Sequence, residues 1–413
     1  MAADDTTRAL GHVLDEGHLA RADELPRLIE RAARAAGAQT ARLYVADLQQ
    51  IRLVALPRLP QDVIAEEQET LDIDSSLAGL AYRTQKTQRT RDGTVAHLPM
   101  IDGVERVGVL RVTGPRLDAE TLRACEHLAD LAALLVVAKS LHSDSLITRE
   151  RSQPMSVQAE LVWAFLPPRT IGTRDVTSSA VLEPAYEIGG DAFDHSLTEH
   201  TLHLTLLDAM GHDLASGGAS AAALATCRST RRSGAALPDI ATAIDDVLGA
   251  WIPDRLMTAV IAQLDTRTGR LSWINCAHPP PLLIRDGRIL PDALHRTSQL
   301  PLGFGFHAKE PPTPHQERLQ PGDRILLYSD GVTEARSPTG DLFGEQRLTD
   351  AVIRSAAAGD PAPESLRRLI QSLRAHQNHR LRDDATLLLV EWHPTAATQG
   401  ETRGANGRAG GSG

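Results

Sequence analysis

The sequence is poor in the residues on which several function classes depend. Of 43 basic Lys and Arg residues only Lys86, Lys139 and Lys309 are lysines; 53 residues are acidic and the formal net charge is −10. Phosphate backbones are gripped by basic patches, so this balance argues against nucleic acid as the main partner. The use of arginine for lysine, in an Ala-rich chain, points to a GC-rich bacterial genome. The three cysteines, Cys125, Cys227 and Cys276, stand far apart with no CxxC pair. That argues against a disulfide framework and a thiolate zinc site, and fits a reducing cytoplasm. Cys227 and Cys276 read as small buried residues. Met1–Asp15 carries acids and lacks the apolar core of a secretory signal. The longest apolar run, Leu128–Ala138, is interrupted by Asp130 and too short to span a bilayer, so no membrane partner is expected. A GxxxxGK[ST] phosphate loop, a GxSxG elbow and an HEXXH helix are all missing.

What is present is ordinary globular composition, 42% hydrophobic and 23% charged, over 413 residues. That length is too great for one ordinary core and predicts two or three domains. Apolar spacing predicts a helix over Asp23–Ala36, strands over Ala41–Ala46 and Ile51–Leu56, and a short helix over Leu77–Thr84 after a Ser cap. A hairpin follows, Val95–Met100 and Val107–Val112 across Asp102-Gly103. A long helix over Asp118–Leu141 serves equally well as a core element or a homodimer seam. This order resembles a GAF domain over about residues 18–141, carried by SSLAGLAYRTQKTQ and by the VGVLRV strand leading into the exit helix. GAF domains share a fold while binding unrelated small molecules or only a partner, so a small-molecule ligand and a purely structural role both stand. Residues 142–153 read as a connector and Val157–Leu166 as an amphipathic helix stopped by Pro167-Pro168.

Chemistry concentrates further on. In EIGGDAFD, Gly189-Gly190 permits a tight turn and close backbone approach, with Asp191 directly after it. The strand Thr201–Leu207 follows, with Asp208 where it ends. Arg324–Tyr328 is a second apolar strand running into Ser329-Asp330-Gly331, and Asp383-Asp384 precede a third, Ala385–Trp392. One Asp-Gly is a common turn; acids at strand ends repeated through one domain suggest a ligand set. Carboxylates without Cys or HxxxH favour Mg²⁺ or Mn²⁺ over zinc. Two such ions would bridge a phosphate and activate water. Helices are expected at Gly217–Arg232, Leu237–Trp251, Gln346–Ala358 and Pro363–Gln377, and further strands at Met257–Asp265, Leu271–Cys276 and Pro281–Arg285.

The ordered motifs EIGGDAFD, LDAMGHD, NCAHPPPLL, LYSDGVTEAR, LFGEQRL and RDDATLLLVEW resemble SpoIIE/RsbU-type protein phosphatases, the bacterial branch of the PPM metal-dependent Ser/Thr phosphatases, over about residues 169–393. The resemblance implies an α+β chain: an N-terminal GAF-like sensor domain plus a C-terminal PPM-type α/β/β/α sandwich with two metal ions at one end. It implies that Asp208 bridges the ions, that the carbonyl of Ala209 serves the second, and that Asp330 and Asp383 complete the first, with Asp191 the acid after the double glycine. Spacing leaves Asp383 and Asp384 both open as the ligand; the family pattern favours Asp383. The implied substrate is a phosphorylated protein, an anti-sigma-factor antagonist in a bacterial partner-switching pathway. The rivals are a phosphatase-like module that grips a partner without turnover and a hydrolase of small phosphorylated metabolites. Two departures stand out: Asp213 and Ala277 replace glycines of the family pattern, and Asp213 adds an acid near the site. His212 and His278 read as loop-shaping residues rather than acids. The expected layout is a flexible N-terminus (1–17), a sensor (18–141), a linker with a regulatory helix (142–168), a catalytic domain (169–393) and a disordered tail (394–413), all in the cytoplasm.

Overall fold

The computed structural model describes residues 2–57, 69–187, 189–379 and 381–394. The chain divides into two units, Met1–Pro154 and Met155–Gly413.

The first unit opens with α1 (Ala2–Gly17) and α2 (Leu25–Ala35). The strands β1 (Thr40–Ala46), β2 (Arg52–Ala55) and β3 (Thr70–Asp72) follow, then α3 (Leu77–Thr84). After β4 (Gln88–Arg89), β5 (Val95–Asp102) and β6 (Glu105–Thr113), the unit closes with α4 (Ala119–Ser140) and α5 (Asp144–Glu150). The six strands form one antiparallel sheet in the order β3-β2-β1-β6-β5-β4. Alternation along β1 sends Leu43 and Val45 to the face covered by α2 and α4, and Tyr44 to the face covered by α3. Asp118 caps α4 by accepting the Thr121 N–H at 2.9 Å. Its stripe Leu122, Cys125 and Leu128 is buried in the unit's own core, so that face of the helix is a core element.

Two expectations are corrected here. The segment 1–17, expected to be flexible, contains helix α1, because Leu10 and Val13, three residues apart, share a face that packs into the core of α2 and α4. The connector 142–153 contains α5, held by buried Leu146 and by the Leu48 N–H donated to the Glu150 carbonyl at 2.7 Å. The connector therefore belongs to the first unit, and the following helix to the second. The tail expected to be disordered lies, beyond Pro394, outside the described residues.

The second unit begins with α6 (Val157–Phe165), β7 (Thr170–Gly172), β8 (Val176–Glu183), β9 (Asp191–Leu197) and β10 (Thr201–Ala209). Helices α7 (Leu214–Arg232) and α8 (Leu237–Trp251) follow, then β11 (Met257–Asp265), β12 (Arg270–Cys276), β13 (Leu282–Arg285) and β14 (Arg288–Leu290). The chain ends with β15 (His315–Arg318), β16 (Arg324–Tyr328), the single turn α9 (Asp330–Thr333), α10 (Gly344–Ala357), α11 (Ala362–His376) and β17 (Ala385–Trp392). Two antiparallel sheets result, ordered β15-β12-β11-β10-β9 and β14-β13-β16-β17-β8-β7. They face each other across one core, with α7 and α8 outside the first sheet and α10 and α11 outside the second. The fold of this unit is the expected α/β/β/α sandwich. Ile325 and Leu327 of β16 point between the sheets while Leu326 and Tyr328 point at the outer helices. A strand buried on both faces has no polar alternation, hence the continuous apolar runs at β16 and β17.

Candidate active site

Strand β9 puts the first acid in place. Its register with β10 sets Asp191 directly opposite Asp208, and β11 sets Thr258 on the other side of Asp208. The two acids are thus cross-strand neighbours, as close as sheet geometry allows. The turn before β9 is shaped by Asp384, not by a ligand. Its carboxylate accepts three backbone N–H groups, from Gly189 (2.8 Å), Gly190 (2.7 Å) and Asp191 (3.1 Å). Gly190 has no alternative, since a Cβ there would lie 2.1 Å from the carbonyl oxygen of Ala209. The close approach that these glycines permit is to the chain's own backbone, at His212 and Ala209.

The second sheet supplies the other acids. Ser329 and Thr386 exchange hydrogen bonds across β16 and β17, and Thr386 donates its hydroxyl to Asp191 Oδ2 at 2.6 Å. Gly331 must be glycine, because a Cβ would sit 1.9 Å from the Asp384 carbonyl oxygen. This contact packs the Asp330 turn against the Asp383-Asp384 pair. Asp191, Asp208, Asp330, Asp383 and Asp384 consequently line one open cavity of about 510 Å³, with Ala209, Met210, His212, Leu256, Thr258, Pro301 and Arg382 among its other walls. Asp191 and Asp384 are buried, Asp208 half-buried, Asp330 and Asp383 exposed.

Burial without countercharge raises the carboxyl pKa values. Asp208 is pushed up to about 7, first by desolvation and then by the charges of Asp330, Asp383 and Asp384. Desolvation, then Asp208 and Asp384, hold Asp191 well above the usual range. Asp330 is also raised, by desolvation and then by Glu334 and Asp383. Arg382 is the one arginine or lysine on the cavity wall, and no hydrogen bond or ion pair engages it among the described residues. No three His, Cys, Asp or Glu side chains among the described residues are gathered tightly enough to cage an ion unaided. The donor set still suits a hard divalent cation: oxygen ligands only, like-charged, and uncompensated.

The two departures and the two histidines also find their places. Asp213 is not on the cavity wall. It caps α7 through the Ser216 N–H (2.9 Å) and pairs with Arg255 (2.7 Å), which also donates to the Met210 carbonyl at 3.1 Å. The cap and then Arg255 lower its carboxyl to about 2. The extra acid therefore braces the 209–213 loop. Ala277 adopts a left-handed φ of 55° in the turn before His278. His278 is a buried cross-link between the sheets: Nε2 donates to the Tyr328 carbonyl (3.1 Å), so Nδ1 accepts from Thr258 Oγ1 (2.6 Å). Thr386, Ser329, Thr258 and Arg382 were not singled out from sequence. The RDDAT string held the signal for two of them, a hydroxyl and a cation flanking the acid pair.

Residues 198–393 match the family model described as Stage II sporulation protein E (SpoIIE). The matched segment lies within the second unit. Four of the five cavity acids fall inside the matched segment; Asp191 precedes it. The phosphoserine phosphatase RsbP of Bacillus subtilis is 25% identical over 213 residues, 50% of this chain and 49% of that protein. Protein IcfG of Synechocystis is 31% identical over 134 residues, 32% of this chain and 20% of that protein. The chain thus spans half or less of the length of these curated relatives. Among solved structures, the SiaA-PP2C domain of Pseudomonas aeruginosa aligns over 57% of this chain and 94% of that one, at 20% identity and a TM-score of 0.48.

Proposed function

We propose that the second unit is a SpoIIE-type, metal-dependent phosphatase acting on phosphoserine or phosphothreonine of a protein, with the first unit a GAF-type sensor that controls it. The observation that carries this reading is the convergence of five carboxylates from four chain segments on one cavity with a guanidinium on its wall that is unengaged among the described residues. In this reading Asp208, Asp330 and Asp383, with the Ala209 carbonyl, hold two Mn²⁺ or Mg²⁺ ions. Asp384 is the brace of the double-glycine turn, its carboxylate already engaged by three N–H groups. Asp191 keeps one oxygen on Thr386 and turns the other toward Asp208. When bound, such ions supply the Lewis acidity that phosphomonoester hydrolysis requires. The phosphoester consumes one water and yields the free hydroxyl side chain and inorganic phosphate. The Arg382 guanidinium, planar and always charged, donates to two oxygens of the phosphate dianion. The substrate we assign is an anti-sigma-factor antagonist of a partner-switching pathway in the cytoplasm.

Control by the first unit would pass through α6. This helix is tied to the segment before the double glycine, the Trp163 indole donating to the Ala185 carbonyl at 2.8 Å and the Ser156 carrying its N–H to Tyr186 O at 2.9 Å. It also abuts α7, where Gly217 lies between Gln158 and Gly189. A displacement of α6 is thereby felt by the turn that positions Asp191. The reading is tested by hydrolysis of p-nitrophenyl phosphate with and without Mn²⁺, beside Asp208→Asn. Metal-dependent turnover that the substitution abolishes is expected; turnover absent at every Mn²⁺ concentration would favour the binding module. A faster rate on a phosphoserine peptide than on a sugar phosphate separates the protein phosphatase from the metabolite hydrolase.

A further inference from the structure

This chain has only five phenylalanines and four tryptophans. Six of the nine are buried or half-buried, and the exceptions cluster: Trp251 is 81% exposed, Phe304 48% and Phe306 46%. Phe304 and Phe306 sit on the loop 299–307, whose Pro301 lines the carboxylate cavity together with Met210 and Leu256. The loop is held firmly. Asp245 of α8, fully buried, accepts the N–H groups of Gly303 (2.7 Å), Gly305 (3.0 Å) and His307 (2.9 Å). His307 donates to the Leu300 carbonyl at 3.1 Å, and the two phenyl rings lean on each other with centroids 5.5 Å apart. Gly249, two residues before Trp251, packs against Gly303. Exposed aromatic side chains are thereby held on the loop that leaves the cavity wall at Pro301 and on the end of α8 that packs against this loop. Rigid aromatic side chains displayed beside a polar cavity are what recognition surfaces use, since little conformational entropy is lost on contact.

We propose that this surface docks the polypeptide that carries the phosphoryl group, by apolar side chains three or four residues away from its phosphoserine or phosphothreonine. The inference deepens the proposed function and rests on it for the identity of the occupant. Phe304 follows Pro301 by three residues, a chain span of at most about 11 Å. An extended substrate segment with its phosphate in the cavity reaches that far in a similar number of residues, whereas a small phosphorylated metabolite does not.

The test uses the full chain and two fluorescein-labelled phosphoserine peptides. They are identical except that the residues three and four positions either side of the phosphoserine are leucine and phenylalanine in one and serine in the other. Fluorescence anisotropy is expected to show about tenfold tighter binding of the apolar peptide. Phe304→Ser with Phe306→Ser, and separately Trp251→Ser, are expected to abolish the preference while p-nitrophenyl phosphate hydrolysis stays within twofold of the parent. Equal affinity for both peptides in the parent chain, or a preference that survives in both variants, overturns the proposal. So does a patch that proves to join copies of the chain, seen as an oligomer in sedimentation that the variants dissociate without touching peptide preference. Anisotropy reads binding without turnover, so a chain that hydrolyses nothing but keeps the peptide preference would sink the phosphatase reading and leave the docking surface standing.

Discussion

Two neighbouring aspartates in one dipeptide have opposite surroundings, and substitution should separate them. Asp384 is buried and holds three backbone N–H groups; Asp383 is exposed on the cavity wall and, among the described residues, its one hydrogen-bond partner is the Asp384 N–H at 3.0 Å. Removing an acceptor from a buried donor costs about 1–3 kcal/mol for each group left unmatched, so Asp384→Ala is expected to lower stability by about 3 kcal/mol or more. Asp383→Ala is expected to leave the denaturation midpoint nearly unchanged and to reduce Mn²⁺-dependent turnover at least tenfold. Chemical denaturation and Mn²⁺ titration of both variants decide this, and a reversed pattern would mean that Asp384 is the ligand. Arg382→Ala is expected to raise KM for p-nitrophenyl phosphate about tenfold with kcat largely kept, the loss of one charge-assisted contact. A change in kcat alone would remove Arg382 from phosphate binding. The sequence exposed Asp208, Asp330 and the Asp383-Asp384 pair as a set because each stands at one end of an apolar strand. It could not rank Asp383 against Asp384, because the difference lies in what the Gly189-Gly190 turn, nearly two hundred residues away, presents to one of them.

At the scale of elements, β9 was the part hardest to read. DAFDHSL carries three ionisable residues in seven, yet Asp191, Asp194 and His195 are all buried. Each is matched: Asp194 by Arg228 and Arg231 of α7 at 2.6 Å each, His195 by Ser178 and the Pro168 carbonyl, Asp191 by Thr386. Matched polar groups let a strand enter a core without apolar alternation, so its periodicity is invisible until the partners are known. The start of α7 was misjudged by three residues for a related reason. The expected start at Gly217 overlooked the Asp213 cap, under which the helix begins at Leu214. Strands β16 and β17, by contrast, were legible because both of their faces are buried. The same logic yields a prediction for α6. Trp163→Phe deletes one hydrogen bond to Ala185 and should cost about 1 kcal/mol of stability. If α6 governs the double-glycine turn, the Mn²⁺ concentration for half-maximal turnover should also rise several-fold. An unchanged Mn²⁺ dependence alongside the small stability loss would make α6 a packing helix only.

For the whole sandwich, the two sheets are fastened at the cavity end by a histidine that must stay neutral. Burial lowers the His278 imidazole from an ordinary value of 6.5 to about 4. The folded chain therefore binds this proton less readily than the unfolded chain does. Stability from this group is complete above pH 6.5 and is lost as pH falls toward 4. At pH 5 the loss relative to pH 8 is about 2 kcal/mol, from one pKa unit being worth about 1.4 kcal/mol. His195, joining β9 to β8 and likewise lowered to about 4 by burial, adds a loss of the same sign. His278→Asn keeps a polar group at the cross-link but cannot be protonated. The variant is expected to be less stable than the parent at pH 8 and to lose about 2 kcal/mol less than the parent between pH 8 and pH 5. Denaturant unfolding at the two pH values, followed through the tryptophans of the second unit, measures the difference. Equal losses in parent and variant would mean that the His278 ring takes up its proton without loosening the contact between Thr258 on one sheet and Tyr328 on the other.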